Sequence, residues 1–183
     1  MPFFEFAMVN YYFRSTKFTI VPEEINSPEQ QKKIMQEQFA MAPDEIIRCA
    51  ELPEHHALLL FSLNYTDETG KTAIAGEDTR PIIYKHIKEL EGRSEYNKAI
   101  LDFDRTNKTS YIVINQGDML MMANSFHTSD SASALYFLLE ALRQKQINPR
   151  QTALEIYGIL SESELALFKS YLKKADAGLQ LCV

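Results

Sequence analysis

Between Ala99 and Phe126 the chain runs A-I-L-D-F-D-R-T-N-K-T-S-Y-I-V-I-N-Q-G-D-M-L-M-M-A-N-S-F, and few backbone layouts are open to such a stretch. Three runs of β-branched, aromatic and other apolar residues are divided by two short polar turns, a pattern of strands rather than helices. Connections this short join antiparallel neighbours, since a parallel pair needs a crossover of a dozen residues or more. The stretch therefore reads as a three-strand antiparallel meander. Its first strand closes on Asp102 and Asp104, its second covers Ser110 to Asn115, and Gln116, Gly117 and Asp118 reverse the chain into the third.

Around the meander the pattern alternates. His127 to Asp130 supplies N-cap chemistry for a helix from Ser131 to about Gln146, with Leu135, Leu138, Leu139 and Leu142 at buried spacing. Asn148-Pro149 interrupts, Thr152 to Tyr157 is a strand, and Ser161 with Glu164 forms a capping box for a last helix carrying Leu165, Phe168, Tyr171 and Leu172. A final strand is expected in Gly178 to Val183. Upstream, K-F-T-I-V stops at Pro22, and Pro28 opens a helix reaching about Ala40. Glu45 to Cys49 forms a short strand, and A-L-L-L-F-S-L (Ala57 to Leu63) is a strand covered on both faces. Asn64 to Lys71 is loop, Thr72 to Ala75 another short strand, and Pro81 starts an amphipathic helix with Ile82, Ile83, Ile87 and Leu90 as its stripe. Strands and helices alternating in this way predict a mixed α/β sheet.

Composition narrows the function. A chain of 183 residues, 45% hydrophobic and 11% aromatic, buries a real core. Its net charge of −6 argues against nucleic acid or an anionic membrane as the main partner. Cys49 and Cys182 lie far apart without C-x-x-C spacing, which reads as two buried thiols in a reducing compartment. The segment M-P-F-F-E-F-A-M-V-N-Y-Y-F is apolar but carries Glu5 and is too short to span a bilayer. It is expected to be a core segment of a cytoplasmic protein.

The second-half element order matches a lobe of the actin, sugar-kinase and heat-shock-chaperone ATPase superfamily, and the meander resembles that superfamily's phosphate-binding hairpin. More narrowly, K-F-T-I-V-P-E-E, A-L-L-L-F-S-L and N-Q-G-D-M-L-M-M-A-N-S-F-H resemble a family of uncharacterised bacterial proteins assigned to the superfamily. The resemblance implies an α/β fold with a ribonuclease-H-like mixed sheet. It further implies a complete second lobe over residues 94–183 and, over 1–93, a truncated first lobe lacking the usual N-terminal strand meander.

In active superfamily members the second lobe's first strand ends in an Asp-x-Gly-x-x-Thr turn. The aspartate places metal and water, and the glycine lets backbone N–H groups approach phosphate. Here Asp102 takes the aspartate position, Asp104 replaces the glycine, and Arg105, Thr106 and Asn107 fill the turn. Carboxylates at i and i+2 share one side of a strand and suit Mg²⁺. Without metal, each would repel a phosphate charge by about 4 kcal/mol at intermediate dielectric. The adenosine turn of the superfamily uses paired glycines, whereas E-I-Y-G-I-L-S-E-S-E has Gly158 alone, flanked by Tyr157 and Ile159. Both sites read as vestigial.

Two further patterns are weaker. Y-T-D-E-T-G-K-T after the Ala57 strand imitates a phosphate-binding P-loop, but Tyr65 stands where glycine is needed and no helix follows Thr72. His55, His56, His86 and His127 lack metal-ligand spacing, and His127 near Ser125 and Ser129 has no third orienting group. The residues thus support a non-catalytic actin-like domain that uses no cofactor, works through protein–protein contacts, and pairs with a protein partner or with itself. The expected edge for self-pairing is Phe18 to Val21 or Ala57 to Leu63. The alternative is a divergent ATP-binding enzyme or kinase, with Asp102 and Asp104 on the metal of Mg-ATP and Thr106 or Asn107 on phosphate.

Overall fold

Two β-sheets and the helix between them determine where polar groups come together in this chain. The computed structural model describes residues 11–66, 70–76, 78–172 and 174–177. Its first half comprises β1 (Tyr12–Phe13), β2 (Phe18–Pro22), α1 (Pro28–Gln38), β3 (Ile47–Leu52), β4 (Ala57–Ser62), β5 (Asn64–Thr66), β6 (Thr72–Ile74) and β7 (Arg80–Pro81). The second half comprises α2 (Ile82–Glu91), β8 (Asn97–Asp104), β9 (Thr109–Gln116), β10 (Met119–His127), α3 (Ser131–Gln144), β11 (Thr152–Tyr157), α4 (Glu162–Tyr171) and β12 (Lys174–Ala177).

The predicted meander forms as β8, β9 and β10, each antiparallel to the next. β11 then adds parallel to β8 and β12 parallel to β11, giving a five-stranded mixed sheet in the order β10-β9-β8-β11-β12. Helices α3 and α4 are the crossovers that parallel pairing requires. α3 starts where Asp130 accepts the N–H of Ser133, and α4 starts at the Ser161–Glu164 capping box.

The second sheet has the order β2-β4-β3, with both pairings antiparallel. Its middle strand is β4, every residue of which is buried. The strand's alternation divides it: Leu58 and Leu60 pack with Val21 and Met35 of α1, while Leu59 and Phe61 join Phe13, Phe18, Ile83, Ile87, Ile100 and Val113. A fully buried Leu or Phe contributes about 1.5–3 kcal/mol, so this two-sided run holds both layers. The opposite face of the five-stranded sheet, with Leu101, Phe103, Ile112 and Ile114, packs on Leu135, Leu138 and Leu142 of α3 and Phe168 of α4.

Several expectations are corrected. Ala57 to Leu63 is a central strand, not an edge, because β2 and β3 both pair with it. Asn64 to Lys71 is not all loop: β5 and β6 pair antiparallel with Thr66 opposite Thr72, so Gly70-Lys71-Thr72 belongs to a hairpin rather than a P-loop. The short strand begins at Ile47, two residues after Glu45. Cys49 is exposed on β3: opposite Leu60, it shares the face of β4 that packs on α1 but lies on a flanking strand at the margin of that core. Tyr171 is exposed, and Leu172 fills the buried position beside it. The expected strand at Gly178 to Val183, Cys182 and the segment before Tyr11 lie outside the described residues.

Candidate functional site

The pleat of β8 sends Ala99, Leu101 and Phe103 to the α3 side and leaves Ile100 and Asp102 facing α2. Asp102 has a side-chain exposure of 0%. A carboxylate so placed requires partners, and two cations supply them.

The first is His86, on the buried stripe of α2 with Ile82, Ile83, Ile87 and Leu90. Its Nε2 lies 2.9 Å from Asp102 Oδ2, and its Nδ1 lies 3.2 Å from Glu89 Oε2. A neutral imidazole has one N–H, so donating to both carboxylates requires the imidazolium. Burial pulls the His86 pKa down, but hydrogen bonds to Asp102 and Glu89 outweigh it and leave the pKa raised. Burial likewise opposes ionisation of Asp102 and Glu89, and the His86 hydrogen bond is the leading reason that both remain below the ordinary carboxylate value. Tyr157 stacks on the His86 ring at 5.1 Å, and its single O–H is shared between Glu89 Oε1 at 3.2 Å and Glu155 Oε1 at 3.0 Å. Burial and the Glu89 charge push its phenol up to about 12.

The second cation is Arg14, just after β1. Its Nη2 donates to Asp102 Oδ1 at 3.1 Å, and its Nη1 makes an ionic contact with Oδ2 at 3.0 Å without the alignment of a hydrogen bond. Its Nε lies 3.2 Å from Asp104 Oδ2, so one guanidinium bridges both carboxylates. It also stands over the Tyr111 ring at 5.7 Å.

The remaining turn residues have internal roles. Asp104 accepts from the Asn107 backbone N–H at 3.1 Å and from Asn107 Nδ2 at 2.8 Å, closing the β8–β9 turn. Arg105 points to the other side, where Nε donates to the Ile159 carbonyl at 3.2 Å and Nη2 to Glu164 Oε1 at 2.5 Å. Thr106 is exposed. Gly158 has φ +120°, and a Cβ there would stand 2.4 Å from the Phe103 carbonyl oxygen. Close packing of the β11–α4 turn on β8 therefore requires the glycine without a ligand. The structure gathers Asp102 and Asp104 through Arg14 and separates Arg105 and Gly158 from them.

A cleft of about 730 Å³ opens beside the turn, lined by Arg14, Lys17, Glu45, Asn107, Thr109 and Tyr111 among others. Its cations are already engaged: Lys17 Nζ contacts both Glu45 oxygens at 3.0 Å and the Ala40 carbonyl at 2.8 Å. Among the described residues no group of three or more His, Cys, Asp or Glu side chains is arranged to hold a metal ion.

Arg14, His86, Glu89 and Tyr157 are absent from the sequence-derived site. His86 left one trace, a histidine at an apolar-stripe position of a helix. Arg14 left none, being 88 residues from Asp102.

Residues 3–174 match the family described as "Protein of unknown function (DUF3822)". No curated protein matches the chain. Among solved structures, a Bacteroides thetaiotaomicron protein with an actin-like ATPase fold and unknown function is similar, with a TM-score of 0.70 and 17% identity over 92% of this chain and 67% of that one. That likeness, with the observed mixed sheet, shows an actin-like ATPase fold.

Proposed function

This chain belongs to the DUF3822 family, and from that premise we propose that it is a non-catalytic domain of actin-like fold that works through protein–protein contacts. One observation carries the reading. Asp102, at the position where active superfamily members hold metal and water, is wholly buried and engaged by Arg14 and His86. A guanidinium stands between Asp102 and Asp104 and engages both of the carboxylates that Mg²⁺ would bind, so these residues fit the metal poorly. Admitting it means breaking a buried ion pair, which costs about 3–5 kcal/mol. On this reading residues 1–93 and 94–183 are the two lobes, no cofactor is used, and the exposed free Cys49 suits a reducing cytoplasm. Among the described residues no helix is long and apolar enough to cross a membrane.

The cleft beside the β8–β9 turn favours a second reading, a divergent ATP-binding enzyme or kinase with Asn107 or Thr106 on phosphate. Thermal unfolding with and without Mg-ATP separates the two. Ligand at a hundred times its dissociation constant adds about 2.7 kcal/mol and raises Tm by several degrees. The first reading expects no shift and no phosphate release. A shift, or phosphate release that Asp102→Asn abolishes, replaces it with the second.

A further inference from the structure

We infer that the edge of β10 is a docking surface for a second copy of this chain, the two five-stranded sheets joining across a twofold axis at Asn124. The inference rests on the protein-contact reading and names its surface and its partner.

Among the described residues β10 pairs with β9 alone, leaving its other side as a sheet edge. Edges are ordinarily blunted by charge or proline, and β10 contains neither. From Met119 through Leu139, across β10 and over half of α3, the sole charged residue is Asp130, engaged as the α3 N-cap. The chain's other charged residues, 19 Lys and Arg and 24 of its 25 Asp and Glu, lie outside that stretch. Two acidic copies that meet on this stretch bring almost no like charge together, which is the charge argument for self-pairing.

The register follows from the strand itself. A bulge between Leu120 and Met122 bends the start of the edge away, while Met122 to His127 stay in regular register with β9. The Ser125 N–H donates to Asn124 Oδ1 at 2.8 Å, a donor turned to the open side and held by its neighbour's side chain. Residues two apart share that direction, so Ala123 and Ser125 present backbone groups outward. A twofold axis through Asn124 sets Ser125 against Ala123 of the second copy in both directions, a hydrogen-bonded pair on each side of the axis once Asn124 Oδ1 gives up the Ser125 N–H. The same axis sets Met122 against Phe126 of the second copy. Both belong to the face packed on α3, where Phe126 stacks on Phe137 at 4.7 Å and Tyr136, 63% exposed, meets Phe137 edge-on. Ala123 and Ser125 on the opposite face are small. The arrangement is self-complementary, as an isologous contact requires, and it is a form of β-strand addition.

The test is the mass of the full chain by light scattering at high micromolar concentration. A dimer of about 42 kDa is expected, twice the 21.1 kDa chain. Asn124→Lys places two cations face to face and should raise the dissociation constant about tenfold or more, with an unchanged far-ultraviolet circular dichroism spectrum. Mixing it with Asn124→Glu should restore the dimer as a heterodimer. A wild-type monomer overturns the inference, and so does one that takes up an unrelated strand peptide at β10. A dimer indifferent to both substitutions also overturns it, while leaving the protein-contact reading intact. Failure of that reading is registered separately, by stabilisation with Mg-ATP.

Discussion

Arg14 and Asp102, 88 residues apart in the chain, form a two-point contact in which Nη2 donates to Oδ1 at 3.1 Å and Nη1 lies 3.0 Å from Oδ2. The contact ties the segment after β1 to the centre of the five-stranded sheet, and it balances a carboxylate that has no access to water.

Removing the guanidinium should be costly for that reason. Arg14→Met is expected to destabilise by about 3–5 kcal/mol, because it leaves a buried charge with one cation instead of two. Asp102→Asn in the same chain should recover part of the loss, since the uncompensated charge goes with it. Urea denaturation of the two single variants and the double variant measures the coupling. Strict additivity contradicts the pairing.

The Glu89–His86–Asp102 chain makes stability depend on pH with a definite sign. The folded-state pKa of His86 is raised, so its contribution is complete below its unfolded value of about 6.5 and is lost as pH rises through the folded value. The pKa of Asp102 is depressed, so its contribution is present above about pH 3.9 and is lost as pH falls through the folded value. Stability should therefore be greatest between those limits and should decline on the alkaline side. His86→Gln should remove the alkaline decline; a wild-type melting temperature that holds level into the alkaline range contradicts the imidazolium.

Gly158→Ala should destabilise by about 3 kcal/mol or more, through positive φ combined with a clash against backbone. The added Cβ meets the Phe103 carbonyl at 2.4 Å, whereas one at Gly76 has its nearest contact at 3.8 Å. Gly76→Ala is the control, expected within about 0.5 kcal/mol of wild type by thermal unfolding.

Ser161→Ala removes the acceptor that Glu164's backbone N–H uses at the start of α4 and should cost about 1 kcal/mol. Glu164 also receives Ser131 and Arg105, and its carboxyl is held down to about 2, first by the Ser161 backbone N–H and then by those two side chains. Arg105→Ala should cost less than the cap, about 0–1 kcal/mol, because that ion pair is exposed. Denaturation midpoints of the two variants check the order.

The sequence alone determined the meander, the capped helices α3 and α4, and the two-sided burial of β4. Each rests on local physics: apolar runs divided by short polar turns in the meander, the Asp130 and Ser161 caps, an unbroken apolar run at Ala57. It also identified Asp102 and Asp104 as a pair on one strand, because period-two geometry links positions i and i+2. Tertiary structure decided what that pair does. Arg14 and His86 reach Asp102 only once β1 and α2 are folded over the sheet, and no local pattern encodes a contact between distant segments. The same holds for Gly158, which reads as a degenerate ligand turn until Phe103 of a neighbouring strand is seen to need its space. The exposure of Cys49, the central place of β4 and the edge position of β10 among the described strands depend likewise on strand order, which propensity and periodicity leave undetermined.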